Sequence, residues 1–257
     1  MLLLKLAAAP AVVWLASQAG RRWGHRVAGL IGGFPLIAAP LVLFIALEAP
    51  GDFVGEVAWL TMAAAPGVAV HCVVFAWFAH AGFHWSLCLA AAWTACVAAA
   101  VLLTGLIPHG FIGFALVLGI GLALTAAIPR PRGRASLTAI PDFEIAVRMA
   151  AALALAAVIM FGAQTLGARA SGVLLGFPIT ASVLPVFTLH LHGAEATIRL
   201  LSGFSTGLLG FGTYFFAFAS LIEEHGAWLA AAAGVAACVT TVSSVLRFQS
   251  WRRGMAA

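Results

Sequence analysis

Two short segments carry the residue types and spacing with the most chemical content: Gly33, Phe34 and Pro35, and, 143 residues further on, Gly176, Phe177 and Pro178. Each lies inside a long apolar stretch. Proline lacks the N–H donor and its ring clashes with the preceding turn, so such a triplet interrupts a helical hydrogen-bond ladder. Proline also suits the first position of a helix, and a half-helix that starts there presents free N–H groups and the positive end of its dipole. Such an end attracts an anion or a carbonyl-rich solute. Thr180 and Ser182 add hydroxyls after the second triplet, whereas the matching Ile37 and Ala39 are apolar. A lone triplet reads as a kink or a packing point; its recurrence adds weight to a binding role.

Other polar side chains sit in apolar runs. His71 corresponds, at the same offset, to Tyr214. An imidazole can carry a proton or bind a solute and a phenol can donate a hydrogen bond, though either can equally tie two helices together. Gln18 and Gln164, each ahead of a triplet, face the same choice between solute ligand and interhelical bond. Asp52 and Glu195 also correspond, while Glu56 meets Arg199, and these read as interfacial residues near turns. No Asp or Glu falls firmly at mid-span, so ion coupling would rest on His71 or on backbone carbonyls at the breaks.

Metal or haem chemistry has one candidate set, His80, His84 and Cys88, whose four-residue spacing would share one face of a continuous helix. Gly82 marks a turn through the middle of it. His190 and His192, two residues apart, do not face each other on a helix. Phosphate-loop, dinucleotide and zinc-protease motifs are missing from the sequence, and no cofactor is expected.

The elements that must position these residues follow from composition. With 63% hydrophobic and 8% charged residues and a mean hydropathy of +1.10, the chain reads as an integral membrane protein. Its apolar runs are about 20 residues long rather than alternating ten-residue strands, which predicts an all-α polytopic fold. Cys72, Cys88, Cys96 and Cys238 lie in or at the ends of apolar runs, without a disulfide pattern. The net charge of +5 comes from bases beside the spans, a topology signal rather than a nucleic-acid footprint.

Nine spans are predicted, near 2–19, 27–48, 55–79, 85–104, 109–128, 143–166, 170–191, 197–220 and 226–247. The first has the look of a signal peptide but is read as a retained helix, because 157–167 precedes the second triplet in the same way. Arg26 meets Arg169, Gly29 meets Gly172, Gly67 meets Gly210, Phe75 meets Phe218 and Trp85 meets Trp228 at the common offset. Residues 1–104 thus form a first transmembrane repeat, 105–142 a linking span and cytoplasmic loop, and 143–257 a second repeat. Five crossings precede that second repeat, so it is expected to be inverted. Arg21, Arg22, Arg26, Arg130, Arg132, Arg134, Arg247, Arg252 and Arg253 fall on one side and Asp52, Glu56, Glu223 and Glu224 on the other, with only Lys5 and Arg169 as bases there, which predicts an outside N-terminus and a cytoplasmic C-terminus. Gly29 and Gly33, and Gly203, Gly207 and Gly210, offer surfaces for close helix approach, mostly within the chain and with room for a homodimer.

In its duplication and paired breaks the chain resembles small bacterial inverted-repeat secondary transporters of the inner membrane. That resemblance implies a permease moving a small anionic or neutral polar solute, or an ion, by alternating access, with lipids as the other partner. The site residues would be Gly33, Phe34, Pro35, Gly176, Phe177, Pro178, Thr180, Ser182, His71, Tyr214, Gln18 and Gln164. The alternatives are a membrane-embedded metal or haem protein or enzyme using His71, His80, His84 and Cys88, and a lipid translocator or structural membrane subunit.

Overall fold

The computed structural model describes residues 2–131, 140–163 and 177–254, with side chains for 7–131, 140–158 and 177–251. Gly176, Gln164, Arg169, Gly172, Arg132 and Arg134 lie outside the described residues. Within them the fold is all-α: α1 (Leu2–Trp23), α2 (His25–Gly32), α3 (Ala38–Ala46), α4 (Gly51–His80), α5 (Trp85–Leu106), α6 (Phe111–Ala127), α7 (Asp142–Ala163) and α8 (Ile179–Gly254). α8 is three helices in one run, at 179–192 (α8a), 194–225 (α8b) and 227–254 (α8c). The joints are Gly193 (φ 77°) and Gly226 (φ 78°), backbone conformations that a side chain would strain. Three helical runs, Gly51–His80, Trp85–Leu106 and Ile179–Trp251, are long and apolar enough to cross a membrane, and Phe111–Ala127 is a shorter apolar helix.

α4 is the axis of the bundle. Val54, Val57, Ala58, Met62, Ala63, Cys72, Phe75 and Ala76 are all fully enclosed, so its apolar character runs around its whole circumference. α5, α6 and α8b surround it. The outer helices turn large apolar groups outward, among them Val101 and Leu102 on α5, Phe111 and Ile112 on α6, and Val235 and Val239 on α8c. Contiguous apolar surface of this kind suits lipid rather than water.

Small residues decide how close the helices come. A Cβ on Gly29 would sit 1.8 Å from the Leu200 carbonyl oxygen, and one on Gly203 would sit 1.9 Å from that of Arg26. Gly33 and Gly207 are equally confined, against the Phe204 and Leu30 carbonyls. Gly29 and Gly33 therefore meet Gly203 and Gly207, packing α2 on α8b backbone to backbone, where dispersion rather than hydrophobic burial holds helices together in lipid, whereas Gly210 faces α8c. A second correspondence appears in Gly67, which lies against Cys96 and Ala100, and Gly210, which lies against Cys238 and Val242.

The helix ends sort into two groups. At one end Arg21 pairs with Asp142 (2.6 Å), Arg26 donates to Gln249 (2.5 Å) and Trp77 donates to the Ala127 carbonyl (2.9 Å). At the other, His109 lies 3.0 Å from Glu56, and Gly51 and Gly55 adjoin Glu223.

Candidate functional site

The first triplet breaks its helix as the chemistry of proline requires. α2 closes with the Gly33 N–H on the Gly29 carbonyl, residues 33–37 are non-helical, and hydrogen bonding resumes when the Ala39 N–H reaches the Pro35 carbonyl (2.8 Å). At the second triplet, the Ser182 N–H reaches the Pro178 carbonyl (2.9 Å) and α8a begins at Ile179. Pro35 and Pro178 thus each stand at the start of a helical ladder.

The first break adjoins the start of α8a. The Thr180 hydroxyl in the first turn of α8a donates to the carbonyl of Gly32, the last residue of α2, at 2.9 Å. That carbonyl lost its helical partner when α2 stopped, so Thr180 supplies what the break removed. Leu184, one turn further along α8a, packs on Gly32 from the same direction.

Ser182 is equally engaged. Its hydroxyl donates to the Pro178 carbonyl (2.6 Å) and accepts from the Trp93 indole N–H of α5 (2.8 Å), while the Trp93 ring tilts over Phe177 with centroids 5.8 Å apart. Trp93 is a residue that sequence spacing did not single out, since nothing along the chain links α5 to the second break.

His71 reaches the same half-helix from α4. Its Nε2 lies 3.0 Å from the Ala181 carbonyl, and its ring is fully buried beside Phe75. Four residues beyond Ala181 stands Pro185, which has no N–H to give that carbonyl. With Nε2 protonated, His71 donates the hydrogen bond that Pro185 cannot. Nδ1 has no partner, which fits a neutral imidazole in an apolar enclosure.

His71, Thr180, Ser182, Phe177, Pro178 and Gly33 are therefore gathered at one locus, with the hydroxyls and Nε2 bracing α8a. Tyr214 lies apart from them, stacked on Phe218 with Gly234 of α8c against its ring. Gln18 is half-buried on α1. His80 closes α4 and His84 precedes α5 across the Gly82 turn, where His84 pairs with Ser86 (2.9 Å) and Cys88 with the Phe83 carbonyl (3.5 Å). Among the described residues, no group of three or more His, Cys, Asp or Glu side chains is placed to hold a metal ion.

A shallow apolar cleft with room for about one water molecule lies between α4, α6 and α8b, with Pro66 of α4 in its wall. Its walls are apolar, from Ala65, Ala69, Phe114, Val117 and Leu208, with Ser205 and Thr213 as hydroxyls. The Ser205 oxygen is buried without a hydrogen-bond partner, whereas Thr213 donates to the Leu209 carbonyl.

A buried polar cluster lies at the Arg21–Asp142 end. Arg148 of α7, 1% exposed, pairs with Glu144 one turn before it and sits over the Phe187 ring of α8a (5.7 Å). His192, at the end of α8a, lies 3.9 Å from the same Glu144 carboxylate, and its ring centroid is 5.1 Å from that of His25 at the start of α2. The one available signal was the four-residue spacing of opposite charges inside an apolar span, Glu144 and Arg148. The distance in sequence from both to His25 and His192 concealed the rest.

No family model, curated protein or solved structure matches this chain.

Proposed function

We propose that the protein is a secondary transporter or permease in which the paired breaks form the solute-handling centre. The carrying observation is the bond from Thr180, just after one break, to the Gly32 carbonyl, just before the other. In a transporter built from two repeats, the discontinuous helices meet at the substrate site and half-helix N-termini face the solute. The proposed frame is nine spans in two inverted repeats, 1–104 and 143–257, linked by 105–142, with an outside N-terminus in a bacterial inner membrane. The segregation of helix ends supports it, as does the parallel packing of Gly67 on α5 and Gly210 on α8c. In this conformation the Thr180 and Ser182 hydroxyls and the His71 Nε2 are bonded internally, so the site is closed. Solute binding exchanges some of those bonds for bonds to an anionic or neutral polar ligand.

The test is Pro35→Ala combined with Pro178→Ala, reconstituted in proteoliposomes and assayed for uptake of small carboxylates, inorganic phosphate and polyols. The expected result is at least a tenfold loss of whichever flux the unaltered protein supports, with normal membrane insertion. Unchanged flux would remove the breaks from the mechanism.

The large apolar side chains that α5, α6 and α8c turn outward favour a second reading, a lipid translocator or structural membrane subunit. Scrambling of a fluorescent phospholipid in the same vesicles distinguishes it.

A further inference from the structure

We propose that His25 and His192 form a proton-operated latch between the two broken helices, closed when both rings are neutral and opened by protons entering from the arginine-rich end. The latch rests on the transporter reading for its purpose and on the contact of the two rings for its geometry. His25 belongs to α2, which leads into the first break, and His192 ends α8a, which leads out of the second. Their rings, 5.1 Å apart, are the direct titratable contact between the two segments.

The surroundings set what a proton would do. Facing the pair are Arg148 and Glu144 from α7 and Arg199 from α8b. Glu195 of α8b has a buried carboxylate oxygen without a partner. Arg21 of α1 is engaged with Asp142, and Arg26 of α2 with Gln249 of α8c. His190 lies outward on α8a. The Glu144 carboxylate is held by Arg148, leaving His192 at 3.9 Å, too far for a hydrogen bond, and both His192 nitrogens are buried without partners.

In this packing a charged imidazole is disfavoured at both positions. Burial, then the positive charges of His192, Arg148 and Arg199, lower His25 to about 4, while both His192 nitrogens are enclosed without partners. The sign follows from linkage: a histidine whose value is depressed in one conformation charges more readily in any conformation that hydrates it, so falling pH favours the open form. Opening frees both rings at once. The second proton then binds more easily than the first, the reverse of two charges forced together in a static pair.

That reversal is the test. Protein labelled with 15N-imidazole histidine, in lipid nanodiscs, is titrated from pH 8 to pH 3.5, with His25→Gln and His192→Gln for assignment and backbone hydrogen exchange followed in α2. Expected are one shared protonation step below the ordinary histidine value of about 6.5, with a slope above one, and faster exchange at His25–Gly32 through that step. His192→Gln should return His25 to a slope of one. Two separated or independent steps, or unchanged exchange in α2, would overturn the latch even if the wild-type protein alone were measured. The readouts need no transported solute, so loss of flux in the proline variants and failure of the latch are separate results.

Discussion

His71→Ala combined with Pro185→Ala asks whether the buried histidine serves the backbone or a solute. In the wild-type protein His71 hydrogen-bonds the Ala181 carbonyl left without a helical donor by Pro185. Removing the imidazole alone orphans that buried carbonyl, which costs about 1–3 kcal/mol, and adds a cavity term. In a Pro185→Ala background residue 185 regains its N–H, one helical turn from Ala181, and the carbonyl stays satisfied. The cavity term is common to both backgrounds and cancels in the cycle, which leaves a coupling energy of about 1–2 kcal/mol. At roughly 2–4 °C per kcal/mol for a chain of this size, His71→Ala should cost about 2–8 °C less in melting temperature once Pro185 is replaced. Thermal unfolding in nanodiscs, followed through the eight tryptophans, measures all four corners. A coupling indistinguishable from zero would refute the claim that His71 stands in for the missing proline N–H.

Gly29→Ala and Gly203→Ala should each destabilise by at least about 1–3 kcal/mol, because each Cβ would meet a backbone carbonyl rather than a yielding side chain. Gly119→Ala on α6, where nothing lies within 4 Å, should instead gain up to about 1 kcal/mol of helix propensity; the same melting experiment reads both signs. Glu144→Gln or Arg148→Met alone should cost about 3–5 kcal/mol by stranding a buried charge, whereas the double replacement should recover most of it. Thr180→Val should remove the bond to Gly32 and cost about 1–2 kcal/mol, read as increased hydrogen exchange across 33–37.

The helical class, the break at Pro35 and the helix start after Pro178 were legible because their causes are local. Pro35, Pro178 and Gly82 act on the backbone within a turn or two, and the run of apolar residues fixes helix over strand. The meeting of Gly29 and Gly33 with Gly203 and Gly207 was half legible: small residues at helical spacing announce a close contact, but not with which helix. The partners of Thr180, Ser182 and His71 depend on which helices lie side by side, which periodicity does not encode. His71 shows this most clearly, since its partner is defined by a proline more than a hundred residues away. The Glu144–Arg148 pair was overlooked because a charge near the start of a span reads as interfacial, and it is the packing of α7 against α1 and α8 that makes it interior.

Where Gly29 and Gly33 of α2 meet Gly203 and Gly207 of α8b the backbones touch directly, a seam about which α8b would turn in the proposed latch. It is a fulcrum, and an off-centre one. Gly203 stands roughly nine residues from the start of α8b and 22 from its end, about 14 Å and 33 Å along a helix. A rotation of about ten degrees there would move the near end, beside His192, by about 2 Å, and the far end, beside Glu223, by about 6 Å. In the proposed latch, parting the two imidazoles on the short arm would be geared to a displacement more than twice as large on the opposite side of the bundle.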